Sequence, residues 1–375
     1  MKVAIITLHR VYNYGSALQA YATQIVFENA GFDTMIIDYI TPERTFKRKL
    51  ETVPPGVQLD AIQLLFYRIA KCVSIIRKEM TFGTFVRSKL KLSKKYITVD
   101  DLEKDPPKAD IYITGSDQTW NSFYNQGVDR GFFLDFLPSD SRRVSFVSSF
   151  GKESLDDVEV DETKKLLNKY SSISVREDSA AQIIKGLGLS EPVQLIDPTL
   201  QIDKNEWSKI ASKRLIKEKY LVLMLLYNED NSATEYARRI ADIKGLKLVK
   251  LSWELKKPKK VDVLYTHRSP SDFLSLFKYA DFVVTNSFHG TAFAINFERQ
   301  FIVVPRSEFN TRIQSLLFLC GLENRLVNTI DDAVDNSNQS IDYRNVKNII
   351  ENERRKAICF VNELKNLEIN NRNRI

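Results

Sequence analysis

Residues 3–38 read VAIITLHRVYNYGSALQAYATQIVFENAGFDTMIID, and the order of residue types in this stretch decides the fold. Val3 to Leu8 is a short apolar run, the mark of a buried strand. A polar turn follows, and then apolar and small residues recur at helical spacing from Ser16 to Asn29. Gly31 falls where a helix needs a left-handed residue to close. Thr34 to Asp38 is a second apolar run. Strand, crossover helix and strand in so short a length form a βαβ unit, which builds parallel sheets.

The same grammar continues outward. Strands are expected at Ile111–Thr114, Val144–Val147, Ser172–Val175 and Val193–Ile196. From Pro42 to about Asp105 the chain is basic, helical in pattern and poor in strands. Between Asp60 and Met80 the apolar residues Ile62, Leu65, Phe66, Ile69, Val73 and Ile76 form one helical stripe, and residues 42–105 read as an insertion. In the second half the strands are Tyr220–Tyr227, buried on both faces by its unbroken apolar run, then Leu246–Leu251, Phe282–Thr285 and Phe301–Val304. The helices between and after them are Thr234–Lys244, Ser271–Tyr279, Gly290–Phe297 and Thr311–Cys320. We therefore expect an α/β protein with two Rossmann-like doubly wound domains facing a cleft, the architecture of glycosyltransferase-B enzymes. Residues 1–205 form the first domain with its insertion, the expected acceptor side, and residues 206–343 form the second, the expected donor side. Residues 344–375 form a last helix that crosses back toward the first domain.

The chain is 375 residues long, with 43% hydrophobic and 27% charged residues, a balance that excludes a disordered protein. Its net charge of +7 suits an anionic small substrate or a membrane-bound acceptor. It carries no arginine block, finger spacing or RNA-binding aromatic motif, so no nucleic-acid partner is expected. The three cysteines, Cys72, Cys320 and Cys359, are scattered without a CxxC pair and read as reduced and cytoplasmic. With only three histidines as well, no metal site and no cofactor are expected. The opening MKVAIITLHR lacks the long apolar region and cleavage site of a secretory signal.

Ligands of open α/β sheets bind at the carboxyl ends of strands, so the loops after strands are the places to look. Asn13-Tyr14-Gly15-Ser16 offers close backbone approach at Gly15 and a helix cap at Ser16; it reads as an anion or sugar contact, or simply as a capped turn. Gly115-Ser116-Asp117-Gln118-Thr119-Trp120-Asn121 is dense in hydrogen-bonding groups. Asp117 fits a general base or acid and Trp120 a platform for a pyranose ring; the competing reading is an Asx-type turn with a buried tryptophan. Arg176, at the end of Ser172–Val175, suits a carboxylate or phosphate, or an ion pair with Glu177 or Asp178. Thr285-Asn286-Ser287-Phe288-His289-Gly290-Thr291 is the strongest segment, because His289 stands at a helix N-terminus among Asn286, Ser287 and Thr291, where an imidazole can donate a proton or neutralise a phosphate. His9 follows the first strand and is a weaker candidate to line the same region.

The segments GSDQTWN, SVRE, DPTL and TNSFHGTAFAINF, in this order and spacing, resemble the polysaccharide pyruvyl transferase family, over most of the chain from NYGSALQAY to the RIQSLL helix at Arg312. The resemblance implies an enzyme that transfers a pyruvyl group from phosphoenolpyruvate to two hydroxyls of a sugar, closing a ketal in surface polysaccharide (exopolysaccharide or capsule) biosynthesis. It implies that Arg176 and His289 bind or activate the donor, with Arg312 as a further clamp, and that Asp117 lies in the family's acidic loop. Many members carry an acidic residue where this chain has Ser16. The acceptor expected from the resemblance is a lipid-linked oligosaccharide; the helix carrying Arg68, Lys71, Arg77 and Lys78 then reads as a peripheral contact of a cytoplasmic protein at the inner membrane face, or equally as a helix packed on the first domain with a solvated basic edge. The rivals are a nucleotide-sugar glycosyltransferase, for which Glu298 is the nearest ribose-binding acid, and a non-catalytic sugar-binding protein.

Overall fold

The computed structural model describes residues 1–53, 59–226, 232–253, 256–306 and 311–372, with side chains through residue 365. The chain divides into two compact units, Met1–Leu195 with Glu368–Ile375, and Ile196–Leu367.

The first unit holds seven strands: β1 (Lys2–Ile6), β2 (Asp33–Tyr39), β3 (Leu92–Tyr96), β4 (Ile111–Thr114), β5 (Arg143–Ser148), β6 (Tyr170–Val175) and β7 (Val193–Gln194). They pair in the order β3-β2-β1-β4-β5-β6-β7, every pair parallel. The order reverses between β1 and β4, the switch point at which such sheets open a crevice for ligands. Strands β1, β4 and β5 are almost wholly buried, because crossover helices cover both faces. The helix Tyr14–Asn29 is the first crossover; Gly31, at φ 82°, closes it where a side chain would be strained.

The second unit holds β8 (Tyr220–Met224), β9 (Lys247–Ser252), β10 (Val263–Thr266), β11 (Phe282–Thr285) and β12 (Gln300–Val303). Their order is β10-β9-β8-β11-β12, again all parallel, with the switch point between β8 and β11. One core cluster joins Leu221, Leu248, Phe282 and Ile302 to Ala237 and Ile240 of the helix Ser232–Lys244. Both units are thus Rossmann-like.

Three expectations need correction. The 42–105 segment is not purely helical, since β3 within it pairs with β2. β3 reads LSKKY, and Lys94 and Lys95 are exposed on an edge strand, where charge blocks further pairing and hides the apolar pattern. β8 ends at Met224, and Tyr227, the expected end of that strand, lies outside the described residues. The boundary falls at 195/196 rather than 205/206. Residues 196–205 belong with the second unit because Asn296 Nδ2 donates to the carbonyls of Thr199 (2.8 Å) and Ile202 (2.9 Å), and Trp207 Nε1 to that of Thr199 (3.0 Å). The last helix runs Tyr343–Arg372, and up to residue 367 it belongs to the second unit. Among the described residues no helix is long and apolar enough to cross a membrane.

Candidate functional site

In the first unit, the turn after β1 is capped by Asn13 and not by Ser16 as expected. Asn13 Oδ1 accepts from the amides of Gly15 (2.8 Å) and Ser16 (3.4 Å), so the helix starts at Tyr14. That capping frees the Ser16 hydroxyl, which donates to Asp117 Oδ2 at 2.5 Å, across the switch point. Asp117 adopts φ 73°, a left-handed conformation that Asp tolerates better than most side chains. Its Oδ1 accepts from the amide of Gln118 (2.9 Å). The carboxylate is therefore aimed by a strained backbone and two donors, the arrangement of a held functional group. Arg44, just beyond β2, lies in the field of Asp117 and Asp129; burial pushes its guanidinium below its ordinary value against their pull. Arg44 was hidden in sequence because it belongs to the stretch read as an insertion.

The rest of the Gly115–Asn121 loop is structural. Trp120 is no sugar platform: it is 2% exposed, stacked on Phe133 at 5.4 Å and packed against Phe150 at 5.1 Å. Asn121 caps the turn Ser122–Asn125 by accepting from the Tyr124 amide, and Ser116 is buried with its carbonyl taken by the Thr7 hydroxyl. Gln118 alone of the loop's polar side chains is partly exposed. Trp120→Ala is expected to cost about 3 kcal/mol through the cavity it leaves. Urea unfolding followed by circular dichroism measures it.

Arg176 stands at the carboxyl end of β6, buried, with Nε 3.3 Å from Glu177 Oε2. Glu177 Oε1 in turn accepts from the Ser149 hydroxyl at 2.5 Å. The ion-pair reading of this arginine is thus realised, in the interior and not on the surface.

His9 is likewise structural, fully buried with Nε2 2.9 Å from Asp38 Oδ1 and Nδ1 3.0 Å from the Thr7 carbonyl. Arg10 clamps both oxygens of the same carboxylate at 2.6 Å. Burial opposes ionisation of Asp38, but the hydrogen bonds and charges of His9 and Arg10 prevail and hold its pKa at about 2. A depressed carboxylate stabilises the fold above its unfolded pKa, and that stability is lost as pH falls through the folded value. Asp38→Asn should therefore cost roughly 2 kcal/mol at about pH 5, and the difference from wild type should close toward about pH 2 in urea titrations.

In the second unit, the turn after β11 is tightly bonded. The Asn286 side chain accepts from the Leu226 amide (2.6 Å) and donates to its carbonyl (3.1 Å), joining the ends of β8 and β11. Ser287 caps the helix Phe288–Asn296 by accepting from the Gly290 amide (3.3 Å), and the buried Thr291 hydroxyl donates back to the Ser287 carbonyl (3.1 Å). These three side chains, expected as ligand contacts, are spent on the turn. Gly290 is required by close approach: a Cβ there would lie 2.3 Å from Thr285 Oγ1, itself bonded to the Met224 carbonyl.

The turn presents His289. Its side chain is 10% exposed, and Nε2 lies 3.8 Å from Asp197 Oδ2, within ion-pair range though too long for a hydrogen bond. Asp197 is fixed by accepting from the Thr199 amide (2.9 Å) and hydroxyl (2.7 Å). The Arg312 guanidinium lies 6.0 Å from the ring of the adjacent Phe288. Asp197 belongs to the DPTL segment, legible as a turn, but nothing local marks it as the partner of a histidine far along the chain. The expected rival acid, Glu298, lies beyond the opposite end of that helix and is held by Lys204 (2.5 Å) and Lys347 (3.2 Å).

Two all-parallel Rossmann-like sheets, each with a switch point, give the chain the fold seen in glycosyltransferase-B enzymes. A glycosyltransferase of Streptomyces sp. SF2575, solved with thymidine diphosphate, is similar over 98% of this chain and 99% of its own, at 12% identity and a TM-score of 0.50. A glycosyltransferase of avilamycin A biosynthesis (12% identity, 98% of each chain, TM-score 0.49) and the UDP-GlcNAc 2-epimerase of Methanocaldococcus jannaschii (13%, 90% of this chain and 92% of that one, TM-score 0.48) are similar too. No curated protein matches the chain. The family model for polysaccharide pyruvyl transferase matches residues 13–308, and the chain belongs to that family.

Proposed function

We propose that this protein transfers the pyruvyl group of phosphoenolpyruvate to two hydroxyls of a sugar, closing a cyclic ketal, with a lipid-linked oligosaccharide as acceptor. The observation that carries the reading is His289, held at the amide end of a capped helix, with Asp197 3.8 Å away and Arg312 over the ring of the adjacent Phe288. A donor bearing both a phosphate and a carboxylate calls for cations and helix amides together, and these elements supply both.

In the proposed reaction, the methylene carbon of phosphoenolpyruvate takes a proton and the adjacent carbon becomes electron-poor. One sugar hydroxyl attacks that carbon, the bond to the phosphate oxygen breaks, and the second hydroxyl closes the ketal. Of the two hydroxyl protons released, one balances the proton taken by carbon and the other leaves with phosphate. His289 serves as the acid or as the group that neutralises phosphate, and Asp117 as base toward a hydroxyl. Arg176 would assist the donor from beside Glu177, which its Nε faces at 3.3 Å. The ion pairs that occupy Glu298 count against a nucleotide-sugar donor, since they tie up the acid a ribose would need.

Calorimetry with phosphoenolpyruvate and a panel of nucleotide sugars tests the reading. Binding of phosphoenolpyruvate alone, weakened by Arg312→Gln or His289→Ala, is the expected result. Binding of a nucleotide sugar without phosphoenolpyruvate would replace this proposal with a glycosyltransferase.

A further inference from the structure

The helix Ala61–Lys78 turns its apolar side away from the protein. Ile62, Leu65, Phe66, Ile69, Val73 and Ile76 recur at helical spacing, within about 60° of one line along the helix, so they share one face. All six are exposed, Ile62 at 69% and Phe66 at 66%, and Met80 continues the line at 68%. Ile75 is the helix's sole buried residue, while Leu64, Tyr67 and Lys71, on the side opposite the stripe, are half-buried. Amphipathic helices of globular proteins bury their apolar face, and an exposed face of this size marks an interaction site.

Charge says what the face meets. From Ala61 to Lys78 the helix carries Arg68, Lys71, Arg77 and Lys78 and no acidic residue. At 100° per residue, Arg68 and Arg77 fall on the two flanks of the apolar stripe, and both are exposed. The neighbouring short helix Phe46–Glu51 adds the exposed Phe46, Lys47 and Arg48. A second copy docked on the same face would bring like-charged arginines together with no carboxylate on the helix to offset them. An apolar strip flanked by arginines is instead complementary to a bilayer interface with anionic headgroups.

We infer that Ala61–Lys78 is an interfacial helix that seats the protein on an anionic membrane surface, with its apolar stripe in the acyl boundary and Arg68 and Arg77 at the headgroups. The helix is fixed at both ends. Asp60 and Gln63 form a capping box at its start, and at its end a π-helical turn, Glu79–Gly83, plants the buried Phe82 5.0 Å from the Tyr14 ring, beside the Asn13–Ser16 turn. The surface that meets lipid is thereby tied to the turn that holds Ser16 and Asp117. In its purpose, though not in its evidence, this inference rests on the proposed lipid-linked acceptor.

The test is sedimentation of the full chain with vesicles of phosphatidylcholine, alone or with about a third phosphatidylglycerol. Co-sedimentation about tenfold stronger with the anionic vesicles is expected. The double variants Phe66→Ser with Ile69→Ser and Arg68→Gln with Arg77→Gln should each lose most of it, at unchanged melting temperature. Absence of binding to anionic vesicles, or binding that survives the serine pair, overturns the inference. A concentration-dependent dimer in sedimentation velocity, abolished by the serine pair in protein that ignores vesicles, would assign the face to a second copy. Phosphoenolpyruvate binding measured without lipid reports on the transferase reading alone, so the two proposals fail separately.

Discussion

His289→Ala is expected to lower pyruvyl transfer by about 10²–10⁴-fold, the usual contribution of a positioned proton donor, with little change in melting temperature. The turn has supports apart from the imidazole. The turn is held by the Ser287 cap, the Asn286 bonds to Leu226 and the Thr285 hydroxyl, while Asp197 keeps both of its bonds from Thr199. What the substitution removes is the ring that the turn presents. Asp197→Asn should cause a smaller loss, seen in kcat more than in KM, because Asp197, whose side chain is fully buried, lies 3.8 Å from the ring and acts on it through its charge. Transfer from phosphoenolpyruvate to a sugar acceptor, followed by phosphate release, measures both. A His289→Ala enzyme that turns over like wild type would remove the histidine from the chemistry.

The second large effect is expected from Asp117→Asn, a loss of about 10²–10³-fold in kcat if the carboxylate takes a hydroxyl proton. Asparagine is the informative replacement. It tolerates the left-handed backbone that Asp117 adopts at φ 73°, and its carbonyl can still accept from Ser16. Geometry is kept and only the base is lost. Alanine would add backbone strain and blur the result. Ser16→Ala should be milder than Asp117→Asn, since it removes one donor and leaves the carboxylate in place. If Asp117→Asn keeps full kcat, the loop serves to bind the acceptor and the base is elsewhere.

Much of the fold was legible because it is local. An apolar run of four to six residues makes β1, β4, β8 or β11 wherever the chain carries it, and Gly31 ends the first crossover for reasons of its own backbone. The strands that escaped, β3 and β10, are edge strands; in β3 the lysines break the apolar run, while β10, VLYT, is as apolar as β4. The candidate loops were legible too, since the carboxyl ends of parallel strands are where polar turns collect. Which of their side chains hold the turn and which face outward was not legible. Asn286, Ser287, Thr291 and Asn121 have the same chemistry whether they bind a ligand or a backbone amide.

Sequence by itself therefore determined the alternation of strands and helices, the two Rossmann-like units, the family and the loops that carry its polar groups. Tertiary structure alone decided the partnerships: Ser16 with Asp117, Asp197 with His289, Arg10 and His9 with Asp38, and Trp120 with the core. It also decided which way the stripe of Ala61–Lys78 faces. The physical reason is common to all of these. Periodicity and propensity act between near neighbours in the chain, whereas a hydrogen bond, an ion pair or the covering of an apolar face depends on which distant segments the sheet order brings together.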